Sequence, residues 1–113
     1  CDMRLFSNVM RSGVTSLAKS LSQQLAGEGI RVNNLVPGAI NTDRLRGLMQ
    51  TQSERTGVSL EEISKARAAT VPMGRFGEAD EFGQAGAFLL SDAATYITGE
   101  TLVVDGGAMR TVW

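Results

Sequence analysis

The chain has 113 residues, with 11 Lys and Arg against 12 Asp and Glu and a formal net charge of −1. That length allows at most one domain, with a core burying roughly two thirds of the unfolded surface. No basic excess exists to displace counterions from nucleic acid, and no apolar run reaches the roughly 18 residues of a membrane span. There is no histidine for a Ser-His-Asp triad or a metal site, and one cysteine excludes an internal disulfide.

The lack of a disulfide fits a reducing, cytoplasmic compartment. Cys1 has two readings, the lipid-bearing first residue of a lipoprotein or a cut end. A lipidated cysteine needs a flexible polar tether. Cys1 instead runs almost directly into an amphipathic pattern, which favours the cut end.

Phe6, Met10, Gly13, Val14, Leu17, Leu21 and Leu25 recur at steps of three and four, and Leu5, Val9 and Ala18 widen the stripe. This period predicts a long helix whose apolar stripe packs on a core. Asn8, Arg11, Thr15, Lys19, Ser22 and Gln23 fall on the opposite, solvent-facing side. Gly29 is the expected left-handed cap. Ile30 to Val36 is short and β-rich, bounded by Gly29 and Pro37, and predicts a strand. Pro37-Gly38 breaks the chain.

Asn41 or Thr42 then caps a short helix around Arg44 to Met49, followed by a polar loop from Gln50 to Gly57. Ser59 and Glu62 match a capping box, which predicts a helix to about Ala69. Pro72 ends that excursion. Glu78 to Leu90 predicts a helix that buries Phe82, Ala85, Phe88 and Leu89. Glu78, Asp80 and Glu81 suit its positive N-terminal end. Asp92 to Thr95 predicts a turn, Thr101 to Val104 an apolar strand, and Asp105-Gly106-Gly107 a tight turn.

Helices alternating with apolar strands imply a parallel α/β sheet. Two strands are too few for one. The first strand keeps an open edge, and one face of the long helix lacks a partner. Part of the fold is therefore expected to lie outside this chain. There is no Gly-x-Gly-x-x-Gly, since Gly27-Glu28-Gly29 lacks the third glycine and follows a helix. Spacing alone assigns no cofactor. Taken alone, Pro37-Gly38 is a strand-to-helix turn with Thr42 as its N-cap.

Four blocks carry a resemblance. They are Gly29-Ile30-Arg31-Val32-Asn33-Asn34 with Pro37-Gly38-Ala39-Ile40-Asn41-Thr42, then Pro72 to Gly77, then Tyr96 to Gly107. In order and spacing they resemble the C-terminal half of a short-chain dehydrogenase/reductase, in the style of the 3-oxoacyl-(acyl carrier protein) reductases. The resemblance implies an α/β chain, the C-terminal part of a doubly wound parallel-sheet Rossmann fold. Residues 1–113 would be half of one Rossmann-type domain, with 41–73 as its substrate lobe. The two strands would be the sixth and seventh of the sheet.

The resemblance also implies an NAD(P) site only partly carried by this chain. Pro37 and Gly38 would lie against the nicotinamide. Ile40 would offer its backbone amide to the carboxamide, and Thr42 its hydroxyl to the carboxamide or a phosphate. The family's glycine-rich loop, Asn-Ala-Gly segment and catalytic serine would precede Cys1. The family's Tyr-x-x-x-Lys falls on Ser7 and Arg11, so the catalytic pair departs from the pattern. The lone tyrosine, Tyr96, is too distant to substitute.

Ser7 is a far weaker acid than a phenol. Arg11 stays cationic and suits ribose hydroxyls or a phosphate. The implied activity is reduction of a carbonyl or oxidation of an alcohol, such as a 3-oxoacyl thioester, with the isolated chain inactive. The other reading is a non-catalytic dinucleotide-binding or structural member. Expected partners are a small substrate and a second copy or the N-terminal half; no metal, nucleic acid or membrane is expected.

Overall fold

A computed structural model of the chain describes the backbone of residues 3–110 and the side chains of residues 12–110. The elements in chain order are α1 (Met3–Leu25), β1 (Asn34–Pro37), α2 (Asp43–Thr56), α3 (Leu60–Ala69), α4 (Ala79–Leu90) and β2 (Thr101–Val104). Short 3-10 turns lie at Ala26–Glu28 and Asp92–Ala94. The strands β1 and β2 form a two-stranded sheet. The Asn34 N–H donates to Glu100 and the Gly38 N–H to Val104, so both strands advance together and the pairing is parallel.

The chain divides into two compact units: Cys1–Leu35 with Ala87–Leu102, and Val36–Gly86 with Val103–Trp113. In the first unit α1 ends at Leu25 and passes into the 3-10 turn, so the expected left-handed cap closes that turn rather than α1 itself. Gly29 adopts a φ of 76° and its N–H returns to the Ala26 carbonyl.

The buried face of α1 differs from the expected one. Val14 and Leu17 are 56% and 60% exposed, and Ser22, expected in solvent, is 2% exposed. Gly99 explains the exchange. A Cβ there would lie 2.5 Å from Ser22 Oγ, so the loop backbone presses onto a small side chain that a leucine would push away. Ser22 Oγ satisfies itself by donating to the Lys19 carbonyl at 2.6 Å. Lys19 Nζ donates to the Gly99 carbonyl at 3.3 Å.

The predicted strand from Ile30 to Val36 shrinks and shifts to Asn34–Pro37. Arg31 to Asn33 pair with the loop mainly through side chains, with one backbone bond from the Gly99 N–H to the Val32 carbonyl at 2.7 Å. Arg31 donates to the carbonyls of Leu89 and Ile97. The Val32 N–H donates to Thr98 Oγ1 and Asn33 Nδ2 to the Ile97 carbonyl. The Glu100 N–H donates to Asn33 Oδ1. In α4, Leu89 is buried as predicted, while Phe88 is 44% exposed.

In the second unit α2 runs to Thr56, where the sequence predicted a loop from Gln50 to Gly57. Its last turns carry no apolar stripe, so hydrophobic periodicity missed them. Local bonds hold them instead: Gln50 donates to Glu54, Thr51 to the Gly47 carbonyl, and Thr56 to the Gln52 carbonyl. Gly57 closes the helix at φ 74°. Half of the predicted capping box forms: Ser59 caps α3 by accepting from the Glu62 N–H at 3.2 Å, while the Glu62 side chain makes no return bond to the Ser59 N–H. Met49, Ile63 and Val71 are the buried apolar residues of this unit.

Candidate functional site

In parallel α/β sheets the carboxyl ends of strands are where ligands approach. Here β1 ends at Pro37 and β2 at Val104, followed by Gly38 and by Asp105-Gly106-Gly107. Asp105 organises its turn: Oδ1 accepts from the Gly107 N–H at 2.9 Å and Oδ2 from the Met109 N–H at 2.7 Å. Gly106 and Gly107 take φ of 63° and 90°, which favour glycine. The Gly106 carbonyl accepts from the Met73 N–H at 3.1 Å.

After Gly38 the chain meets a second segment. The Gly77 N–H donates to the Ala39 carbonyl at 2.9 Å, and the Asn41 N–H donates to the Gly77 carbonyl at 2.7 Å. This is a parallel bridge between Ile40 and Gly77. Such a bridge leaves the amide of Ile40 itself out of the pairing, and that N–H has no hydrogen bond among the described residues. Ile40 is half-buried. A turn amide without a partner in the chain is free to donate to water or to a ligand.

Thr42 is the N-cap of α2. Its Oγ1 accepts from the Leu45 N–H at 3.2 Å. A hydroxyl has one donor and two acceptor positions, so the cap uses one lone pair and leaves the O–H available. The cap and a ligand contact are compatible. Arg46 approaches from the same turn, donating to Asn41 Oδ1 at 2.8 Å and pairing with Asp43.

Ala39, Ile40, Met73, Arg75, Gly77, Glu81, Val104, Asp105 and Gly106 surround a cavity of about 120 Å³. That is below the several hundred cubic ångströms of a typical small-molecule site. The cavity has room for a ring edge or a carboxamide, but not for a whole dinucleotide. Glu81 is held at about 2, well below the ordinary carboxylate range, first by the Arg75 guanidinium and then by the Glu78 N–H. Arg75 is raised by the same contact.

Pro37 and Gly38 are exposed at the end of β1. With Ile40 and Thr42 they share one turn of the second unit. Ser7 and Arg11 belong to α1, one helical turn apart, and their side chains lie outside the described residues. The sequence reading missed the Ile40–Gly77 bridge and the Arg75–Glu81 pair. The spacing of Glu78 and Glu81, three residues apart at a helix start, signals only the bond from the Glu78 N–H to Glu81.

The family model described as Enoyl-(Acyl carrier protein) reductase matches residues 4–109. The chain belongs to the short-chain dehydrogenase/reductase family. It is 45% identical over 97 residues to the 3-oxoacyl-[acyl-carrier-protein] reductase FabG of Salmonella typhimurium, covering 86% of this chain and 35% of that protein. It is 36% identical over 109 residues to the NADPH-dependent reductase BacG of Bacillus subtilis, covering 96% and 42%.

A solved short-chain dehydrogenase family protein from Francisella tularensis superposes with a TM-score of 0.84 at 33% identity. The match covers 88% of this chain and 41% of that one. The chain thus spans about two fifths of the length of these short-chain dehydrogenase/reductase relatives. Its fold is the α/β fold of that family, the C-terminal part of a doubly wound parallel-sheet Rossmann fold. No helix among the described residues is long and apolar enough to cross a membrane.

Proposed function

We propose that this chain supplies the nicotinamide-side segment of an NAD(P)-dependent oxidoreductase that reduces a carbonyl or oxidises an alcohol. A 3-oxoacyl thioester is the favoured substrate class. The observation that carries this reading is the N–H of Ile40, which has no hydrogen bond among the described residues and sits at the bridge to Gly77 beyond the end of a parallel strand. The bound cofactor would supply or accept a hydride. The Ile40 N–H donates to the carboxamide oxygen and fixes which face of the ring meets the substrate. The Thr42 O–H donates to the carboxamide or a phosphate while its lone pair keeps capping α2. Pro37 has no N–H to satisfy and offers an apolar edge to the ring.

Arg11, on α1, forks onto ribose hydroxyls or a phosphate and moves no proton near neutral pH. Ser7, one turn before it, stands where the family places its proton donor. The FabG and BacG names support NADPH and a carrier-bound acyl substrate as the chemistry to try first. The 113-residue segment by itself is inactive in this reading, because the adenosine half of the cofactor needs the part of the Rossmann fold that it does not span. A partner copy, or the rest of the polypeptide, covers Val14 and Leu17 on α1, both more than half exposed.

Ser7 and Arg11 favour a second reading, a member that binds the dinucleotide without turnover. The two are separated in a polypeptide of family length that contains this segment. NADPH oxidation with a 3-oxoacyl thioester, abolished by Ser7→Ala, supports catalysis through Ser7. Activity that arises only in a Ser7→Tyr, Arg11→Lys variant supports the non-catalytic member. Absence of NADPH binding in all three proteins overturns both readings.

A further inference from the structure

Arg75 Nη1 and Nη2 donate to Glu81 Oε1 and Oε2 at 2.8 and 3.0 Å. This is the two-pronged geometry that makes guanidinium–carboxylate contacts directional. Each partner also grips backbone. Arg75 Nη1 donates to the Phe76 carbonyl at 3.1 Å, and Glu81 Oε1 accepts from the Glu78 N–H at 3.0 Å. The pair therefore holds the chain on both sides of Gly77.

Gly77 is the residue that Ala39 and Asn41 clamp, and Ile40 lies between those two bonds. The fit is close, since a Cβ at Gly77 would fall 2.9 Å from Ile40 Cδ1. Both side chains of the pair are about half exposed, at 52% and 46%. Exposed pairs contribute little to stability. What this one provides is geometry.

We infer that Arg75 and Glu81 are positioning residues for the nicotinamide end of the cofactor. They fix Phe76 to Glu78, through Gly77 they fix Ala39 to Asn41, and so they aim the Ile40 N–H. This rests on the function proposed above and deepens it. Neither residue is catalytic in this arrangement, because each acts through Gly77.

The test uses an isotopically labelled polypeptide of family length that contains this segment, and its Glu81→Gln and Arg75→Lys variants, followed amide by amide in solution. Glutamine at position 81 keeps the helix cap and loses the two-pronged charge contact. Amide hydrogen exchange of Gly77 and Asn41 is expected to speed up at least about threefold in both variants. The Leu45 amide, protected by Thr42, stays unchanged. Titration with nicotinamide mononucleotide shifts the Ile40 amide in the unsubstituted chain and needs about tenfold more ligand in the variants.

Unchanged exchange overturns the inference. Faster exchange with an unchanged Ile40 titration also overturns it, because the pair is then only a fastening. If Ile40 in the unsubstituted chain ignores the probe while exchange still quickens in the variants, the nicotinamide reading fails and the mechanical link stands.

Discussion

Gly38 lies directly against Asp105: a Cβ on Gly38 would fall 2.5 Å from Asp105 Cβ and 2.7 Å from its Cα. The turn after β1 and the turn after β2 are in backbone contact, and only a residue without a side chain allows it. Glycine at this position serves the protein's own packing before any ligand is considered.

Gly38→Ala should therefore destabilise the chain by about 1–3 kcal/mol, because the clash is with backbone that cannot swing away. Gly47→Ala is the control. Nothing lies within 4 Å of a Cβ at that position in α2, so alanine should stabilise by roughly 0.5–1 kcal/mol. Urea unfolding of both variants gives the two signs directly.

Thr42 separates folding from binding. Thr42→Ala should cost about 1 kcal/mol through the lost bond to the Leu45 N–H. Thr42→Asp keeps a capping oxygen and adds negative charge where the cofactor's phosphate or carboxamide would lie. Its stability should stay near that of the unsubstituted chain while NADPH binding weakens in a polypeptide of family length. Equal binding by Thr42→Asp would remove Thr42 from the cofactor site.

How far the sequence carried the reading depends on what holds each element. Ser59 and Glu62 announced the start of α3, and Gly29 the left-handed turn that follows α1, because those signals are local and their bonds are local. The second half of α2 gave no such sign, since the bonds from Gln50 to Glu54 and from Thr51 to the Gly47 carbonyl leave no apolar period. Ser22 was misplaced for a longer-range reason. Its burial depends on Gly99, whose approach no helical wheel contains. The turn after Pro37-Gly38 and its Thr42 cap were legible from the residues alone. The unpaired amide of Ile40 was not, because it follows from a bridge to Gly77, 37 residues on.

The Arg75–Glu81 contact gives a pH prediction with a fixed sign. Glu81 in the folded chain titrates at about 2, below its ordinary 4.5. Whatever stability this contributes is complete above about 4.5 and is lost as pH falls toward 2. The stability difference between the unsubstituted chain and Glu81→Gln should thus be constant near neutrality and shrink in acid. With no histidine present, no side chain of ordinary pKa changes charge near neutral pH. A difference that grows on acidification would reverse the assignment.

The exposed apolar residues of α1 predict association. Leu17→Glu, on a residue 60% exposed, should leave the fold intact and shift the protein toward a smaller species in analytical ultracentrifugation. An unchanged sedimentation coefficient would mean that this face is not the interface.

The central claim is that the turn from Gly38 to Thr42 receives the nicotinamide end of the cofactor. The most direct measurement is an amide-resolved titration with NADPH of an isotopically labelled polypeptide of family length that contains this segment. The account predicts that the Ile40 amide moves first and furthest, with Gly38 and Thr42 beside it. Shifts confined to α2 and α3, or none in the turn at saturating NADPH, would contradict it.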